Sequence, residues 1–313
     1  MKTRRRKKKW RQAFDFDWVS FIDKNKKKIL ILVLAIIFAF FAHSFYRSNF
    51  SFEQKTYQVS SPKIPNAFND FTICQVSDLH GHLFGDQGQD LLDAIKEGKP
   101  DIIVLTGDVV SISMEEVKKE EKDRLSHFLK ALAQIAQTFY IPGNHELGME
   151  EVRPDFYLKD LLQEAKITDL SNRTLPLLRA GKKIYLSGLK EGLNFYRDSA
   201  NQTLLVHEFI ERGSEEDFHI LLAHNPLYWS EYKAWGADLT LSGHVHGGGI
   251  CLPLIGGLFS PEVAFFPRYD KGLFEDDPYV MVVSAGLGNS GIPFRLFNPE
   301  ELVFFKLVSK SIK

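Results

Sequence analysis

Cysteine is nearly absent from this 313-residue sequence. Cys74 and Cys251 are the two present, which excludes a disulfide framework and a cysteine-rich zinc site. They read as buried free thiols and leave the compartment open. Internal repeats are lacking, and so is any low-complexity tract beyond a basic N-terminus, which excludes solenoid and propeller arrays. Net charge is small as well, at −1, but that figure hides an asymmetry. Residues 1–28 hold twelve Lys/Arg against three Asp, a net of +9; residues 29–313 hold 27 against 37, a net of −10. A globular part that acidic is a poor partner for phosphate backbones, so no nucleic acid is expected as a ligand.

What is there is an ordinary globular mix, 44% hydrophobic and 25% charged, with room for one large α/β domain or two smaller ones. One long apolar run stands apart. Residues 29–46 read ILILVLAIIFAFFAHSFY, unbroken over 29–42. Eighteen helical residues span about 27 Å, near the lower limit for a bilayer core. Lys24, Lys26, Lys27 and Lys28 abut its start, while Arg47 and Lys55 follow. The charge rule therefore makes 1–28 a basic cytoplasmic segment against anionic lipid headgroups, and 29–46 a transmembrane anchor in contact with membrane lipid. The rest is expected outside the cytoplasm, on a single-pass protein of the cell membrane. A cleaved signal peptide is the rival, since Ala42-His43-Ser44 is a small-x-small match; the long charged lead and long apolar run favour an uncleaved anchor. Residues 47–68, with Pro62 and Pro65 as breakers, read as a linker, and 69–313 as the domain.

Within the domain, apolar runs predict strands over 71–76, 101–108, 138–141, 218–223, 237–241, 279–284 and 302–308, and a hairpin of 174–178 with 183–189. Helices are predicted over 89–97, 115–137, 155–165 and 201–212. Five of the strands end in small sets of oxygen or nitrogen ligands. These are Asp78 with His80, then Asp108, Asn144, His224, and His244 with His246. Sites collect beyond the carboxyl ends of strands in α/β sheets. Glycines at 81, 107, 143, 243, 247 and 248 supply sharp turns that bring such side chains to one point. Seven carboxylate, amide and imidazole ligands exceed one tetrahedral ion and suit two adjacent ions of zinc or the first transition row sharing a carboxylate.

The ordered set Asp-x-His, Gly-Asp, Gly-Asn-His-Glu, His, Gly-His-x-His resembles the calcineurin-like metallophosphoesterases over roughly residues 70–310. Leu252-Pro253, Phe266-Pro267-Arg268-Tyr269, Gly286-Leu287-Gly288 and Arg295-Leu296-Phe297-Asn298-Pro299 look like a membrane-linked bacterial branch, similar to non-classical UDP-2,3-diacylglucosamine diphosphatases. Gly249 departs from the glutamine that this pattern leads one to expect. The resemblance implies a four-layer α/β/β/α sandwich of the metallo-dependent phosphatase type. It implies Asp78, His80, Asp108 and His246 on one divalent ion (manganese, iron, zinc or similar), and Asp108, Asn144, His224 and His244 on another. Two ions about 3.5–4 Å apart can hold a hydroxide between them and bind phosphoryl oxygens. His145, beside a ligand, can stabilise the transition state or protonate the leaving oxygen.

The expectation is therefore a metal-dependent phosphoesterase that cleaves a phosphodiester or diphosphate of a lipid-linked or nucleotide-linked substrate. A cell-envelope phosphomonoesterase is the alternative, and a non-catalytic metal-binding module a more distant one. Some residues keep two readings. Glu146 either orients His145 or is a surface carboxylate at a helix start. His82 reaches substrate phosphate or faces solvent. His127, His207 and His219 read as inert or structural. The apolar stretch 248–266 is either a buried excursion completing the core or an acyl-chain or membrane-facing wall.

Overall fold

The computed structural model describes residues 18–111, 118–153, 157–252, 255–259, 265–289 and 294–310. The chain divides into two units, Met1–Tyr46 and Arg47–Lys313. The described part of the first unit is one helix, α1 (Trp18–Phe50), whose last turn lies in the second unit. Over Phe21–Phe50 it is 30 residues, long and apolar enough to cross a membrane, about 45 Å at 1.5 Å per residue. Leu30, Ile31, Ile36, Ile37 and Phe38 are all exposed, and a helix apolar on every side needs lipid or protein around it. Most of the basic segment 1–28 lies outside the described residues.

The second unit is built on two six-stranded sheets. The first runs in the order β1 (Phe52–Ser61), β14 (Glu300–Ser309), β2 (Thr72–Val76), β3 (Ile102–Thr106), β4 (Gln137–Ile141), β5 (Thr168–Asp169). The second runs β12 (Gly272–Asp276), β13 (Tyr279–Val283), β9 (Leu239–Ser242), β8 (His219–Leu222), β7 (Lys182–Gly188), β6 (Arg173–Arg179). A short β10 (Cys251–Leu252) pairs with β11 (Gly256–Gly257). The helices are α2 (Gln89–Glu97), α3 (Lys119–Ile135), α4 (Asn144–Val152), α5 (Leu158–Glu164), the single turn α6 (Asn194–Arg197) and α7 (Trp229–Trp235).

Side-chain alternation along each strand sorts the molecule into layers. Ile73, Ile102, Val104, Phe139 and Phe305 face Ile184, Leu186, Ile220, Leu222 and Leu241 in a core between the sheets. Their neighbours Cys74, Ile103, Leu105 and Phe304 turn outward onto α2, α3 and α5. On the far side, Leu221, Met281 and Val283 meet Trp229, Tyr232 and Trp235 of α7. Each fully buried large aliphatic or Phe side chain adds roughly 1.5–3 kcal/mol. This is the expected α/β/β/α order, and it explains the unbroken apolar run of β3, which has both faces covered and a parallel partner on each edge.

Several sequence expectations need correction. Residues 52–61 are not linker: β1 pairs in parallel with β14 over ten residues, from Phe52↔Glu300 to Ser61↔Ser309, and Val59 is buried. The segment 201–212 is not an α-helix but carries short 3₁₀ turns at Ser199–Asn201 and Val206–Glu208. Its buried residues are Leu204, Val206 and Ile210, and among them only the step from Val206 to Ile210 has a helical spacing. The helix predicted over 115–137 begins at Lys119 and gives way to β4 after Ile135, with 112–117 outside the described residues. The one predicted over 155–165 is α5, with 154–156 likewise outside them.

Candidate metal centre

Every expected ligand stands just past the carboxyl end of a strand. Asp78 and His80 follow β2, Asp108 follows β3, and Asn144 follows β4 and opens α4. His224 follows β8, and His244 and His246 follow β9. The first four therefore come from one sheet and the last three from the other. The backbone bends hard to aim them. Asp78, His80, Asp108, His244 and His246 all hold positive φ, between 47° and 74°. A non-glycine residue in that region costs of order 1 kcal/mol or more, and such strain clusters at functional sites. Two glycines make the approach possible. A Cβ at Gly107 would lie 2.5 Å from Nδ1 of His224 and 2.8 Å from the backbone of Gly143, and one at Gly143 would strike the Asp108 carboxylate.

The side chains gather into two groups that share one carboxylate. Asp78, His80, Asp108 and His246 form the first; Asp108, His224 and His244 form the second, with the ligand atoms of each group within 4.8 Å of one another. Nε2 of His80 and of His246 are 3.1 Å apart. Nε2 of His246 is 3.5 Å from Oδ1 of Asp78, and Nε2 of His224 is 3.1 Å from Oδ2 of Asp108. The Oδ1 of Asn144 and Nε2 of His224 are buried and make no hydrogen bond among the described residues. Buried polar atoms without partners are costly, and Nε2 of His224 faces the Asp108 carboxylate.

The electrostatics suit a cation. Burial raises Asp78 above the ordinary carboxylate range. Burial also opposes charge on Asp108, yet His224, His80 and His145 hold it well below that range. Burial pulls His224 down, but Asp108 and Asp78 push it up to about 10. A proton there answers the same field that would attract a metal ion. Burial lowers His80 to about 3 and holds His246 well below its ordinary value, leaving both neutral, as ligands must be. The donor set of Asp, Asn and His suits zinc or a first-row transition ion.

Around the ligands lie residues of several kinds. His145 is half-buried, its ring edge against His80 at 4.6 Å between centroids, and its backbone N–H donates to Oδ1 of Asp108 at 2.9 Å. Both readings of Glu146 give way to a third. Its carboxylate is 1% exposed and accepts from the backbone N–H of Asp108 (2.8 Å), Gly143 (2.8 Å) and Val110 (3.0 Å). It straps the loop after β3 to the loop after β4. Burial, and then Asp108, push it up to about 7. The position of Glu146, third in the helix after Gly143, is the capping-box spacing and was the available signal.

No local pattern marked the role of Glu191, a buried carboxylate taking hydrogen bonds from Tyr196 (2.9 Å) and Tyr232 (3.0 Å). The Tyr196 ring packs against His244 at 5.0 Å. Nor was Arg295 visible as a neighbour of His246, with Nη2 3.2 Å from Nδ1. His82 stacks on Phe84. His127 and His207 are exposed, and His219 is buried with Nε2 donating to Ser214 O at 2.8 Å. Gly249 turns through φ +54°. The core reading of 248–266 fails for Ile255, Phe259, Phe265 and Phe266, all exposed; residues 253–254 and 260–264 lie outside the described residues.

The chain is similar to one family and to several known proteins. Residues 71–248 match the family described as calcineurin-like phosphoesterase. The chain is 29% identical over 266 residues to an uncharacterized metallophosphoesterase, YkuE, of Bacillus subtilis, covering 82% of this chain and 86% of that one. It is 30% identical over 224 residues to the phosphodiesterase YaeI of Escherichia coli, covering 70% and 76%. Among solved structures, TT1561 of Thermus thermophilus aligns with a TM-score of 0.41 at 14% identity, covering 69% of this chain and 89% of that one.

Proposed function

This chain belongs to the calcineurin-like phosphoesterase family, and from that premise we propose a membrane-anchored hydrolase of phosphodiester or diphosphate bonds. Asp78, His80, Asp108 and His246 would hold one divalent ion and Asp108, Asn144, His224 and His244 the second. When bound, such a pair supplies Lewis acidity toward phosphoryl oxygens and readies a water for attack at neutral pH.

The chain's own groups do the rest. His145 N–H fixes Oδ1 of Asp108, which leaves Oδ2 facing Nε2 of His224, so one carboxylate serves both groups. His224 donates through Nδ1 to Thr106 O at 2.6 Å, which orients the ring and keeps Nε2 for a cation. Burial lowers His145 from its ordinary value. An anionic phosphate beside it would favour its protonated form, and from there it can donate to the leaving oxygen.

A lipid-linked or nucleotide-linked ester is the substrate favoured here. The exposed Ile255, Phe265 and Phe266 and the apolar helix support an amphiphile, and the lysines before that helix support a domain outside the cytoplasm. Manganese is the ion of choice for a first assay. The observation that carries the proposal is the pair of buried ligand groups joined through Asp108. Asp108→Asn and His244→Ala, assayed on an activated aryl phosphodiester with Mn²⁺, should each lose about 100-fold or more in turnover. Near-normal rates in both would overturn the mechanism. An aryl monoester on the same preparation tests the phosphomonoesterase alternative.

A further inference from the structure

The two ligand groups are prepared for a cation to different degrees. In the second, the outer hydrogen bond of His224 runs from Nδ1 to a carbonyl, Thr106 O. That bond leaves Nε2 to the ion and survives ion binding. The first group is built the other way. Nδ1 of His246 faces Nη2 of Arg295 at 3.2 Å. A guanidinium has donors only, so Nδ1 must accept, and the neutral ring then carries its proton on Nε2. That nitrogen faces Nε2 of His80 at 3.1 Å and Asp78 at 3.5 Å. For His246 to bind an ion through Nε2, its proton must move to Nδ1, where the Arg295 bond is lost and N–H confronts N–H.

Arg295 is not free to step aside. It is 1% exposed. Nη2 also donates to Gly288 O at 2.7 Å, and Nε to Oδ1 of Asn289 at 2.8 Å. Its backbone is gripped on both sides by one side chain. Arg295 N–H donates to Oδ1 of Asn49 at 2.9 Å, and Nδ2 of Asn49 donates to Arg295 O at 2.8 Å. Ser48 Oγ accepts from Asn298 N–H beside it.

We infer that Arg295, held by Asn49, is a positioning residue that makes the Asp78, His80, Asp108 and His246 pocket the weaker of the two ion sites and the second to fill. The inference rests on the two-ion reading above. Its test is a calorimetric titration of the full-length, metal-stripped protein in detergent with Mn²⁺. Wild type should bind in two unequal steps. His246→Ala should abolish the weaker step and His244→Ala the stronger. Arg295→Gln should tighten the weaker step on the order of tenfold, the worth of one hydrogen bond to a charged group, and leave the stronger within about twofold. Arg295→Lys keeps the charge and a donor and should stay near wild type; Asn49→Ala should shift as Arg295→Gln does, by less, and covers the case in which Arg295→Gln fails to fold. A weaker step that is unmoved or loosened in Arg295→Gln, or equal steps in wild type, overturns this inference alone. Arg295→Lys matching Arg295→Gln does so too. A wild type that takes up no ions overturns the two-ion reading with it.

Discussion

Glu300 opens β14 with its carboxyl group fully buried and neither oxygen hydrogen-bonded among the described residues. Burial pushes it from its ordinary 4.5 up to about 8, against the pull of Arg295. The folded protein thus keeps this proton up to about pH 8, while the unfolded chain releases it near 4.5. Across that window the folded state binds more protons, so stability falls as pH rises through it and levels off above it. Glu300→Gln removes the titration and keeps the shape. Its melting temperature should match wild type at pH 4.5 and exceed it by about 3 °C or more at pH 8.5. Equal melting at both values would show that the carboxyl is not held protonated. The candidate ligands at this scale were readable because each sits within a few residues of a strand end and a glycine. Arg295 was not, because its meaning depends on His246, 49 positions away, and on Asn49, 246 positions away.

Among the elements, β3 and β1 show what a sequence discloses. β3 is buried on both faces, so its residues 102–105 are all apolar, Thr106 is β-branched, and the run reads at once as a strand. β1 lies at the sheet edge. Gln54, Thr56 and Gln58 point to solvent, and only its end is fully covered. Nothing local separates such a pattern from linker; its partner β14 lies some 250 residues on and decides the matter. The same distinction makes a prediction. Val59→Ala should destabilise the protein by about 2 kcal/mol in urea unfolding, from lost burial and a residual cavity. Gln58→Ala should stay within about 0.5 kcal/mol. Equal small effects would return 52–61 to the status of a linker. The segment 201–212 differs for a related reason: propensity favoured helix, but the segment carries only short turns, whose buried Leu204, Val206 and Ile210 pack on α7.

For the whole molecule, charge and hydrophobicity are divided along the chain, basic and apolar first, acidic and globular after. The full-length protein should therefore sediment with membranes, resist high salt and alkaline carbonate, and dissolve in detergent. Protease added to intact cells should remove the domain if the lysine rule holds; a protected domain would reverse the orientation. The two sheets also meet at the ligands, three lent by the strands of the second sheet and four by those of the first. A pair of ions there would be a rivet as well as a reagent. Manganese at 100 times its dissociation constant adds about 2.7 kcal/mol, so loading should raise the melting temperature by about 5 °C or more, a gain that chelator removes and Asp108→Asn lacks. Starved of metal, such a protein loses cohesion and chemistry together, and damage at its ligands would surface in a cell as scarcity of the protein before it surfaced as slow turnover.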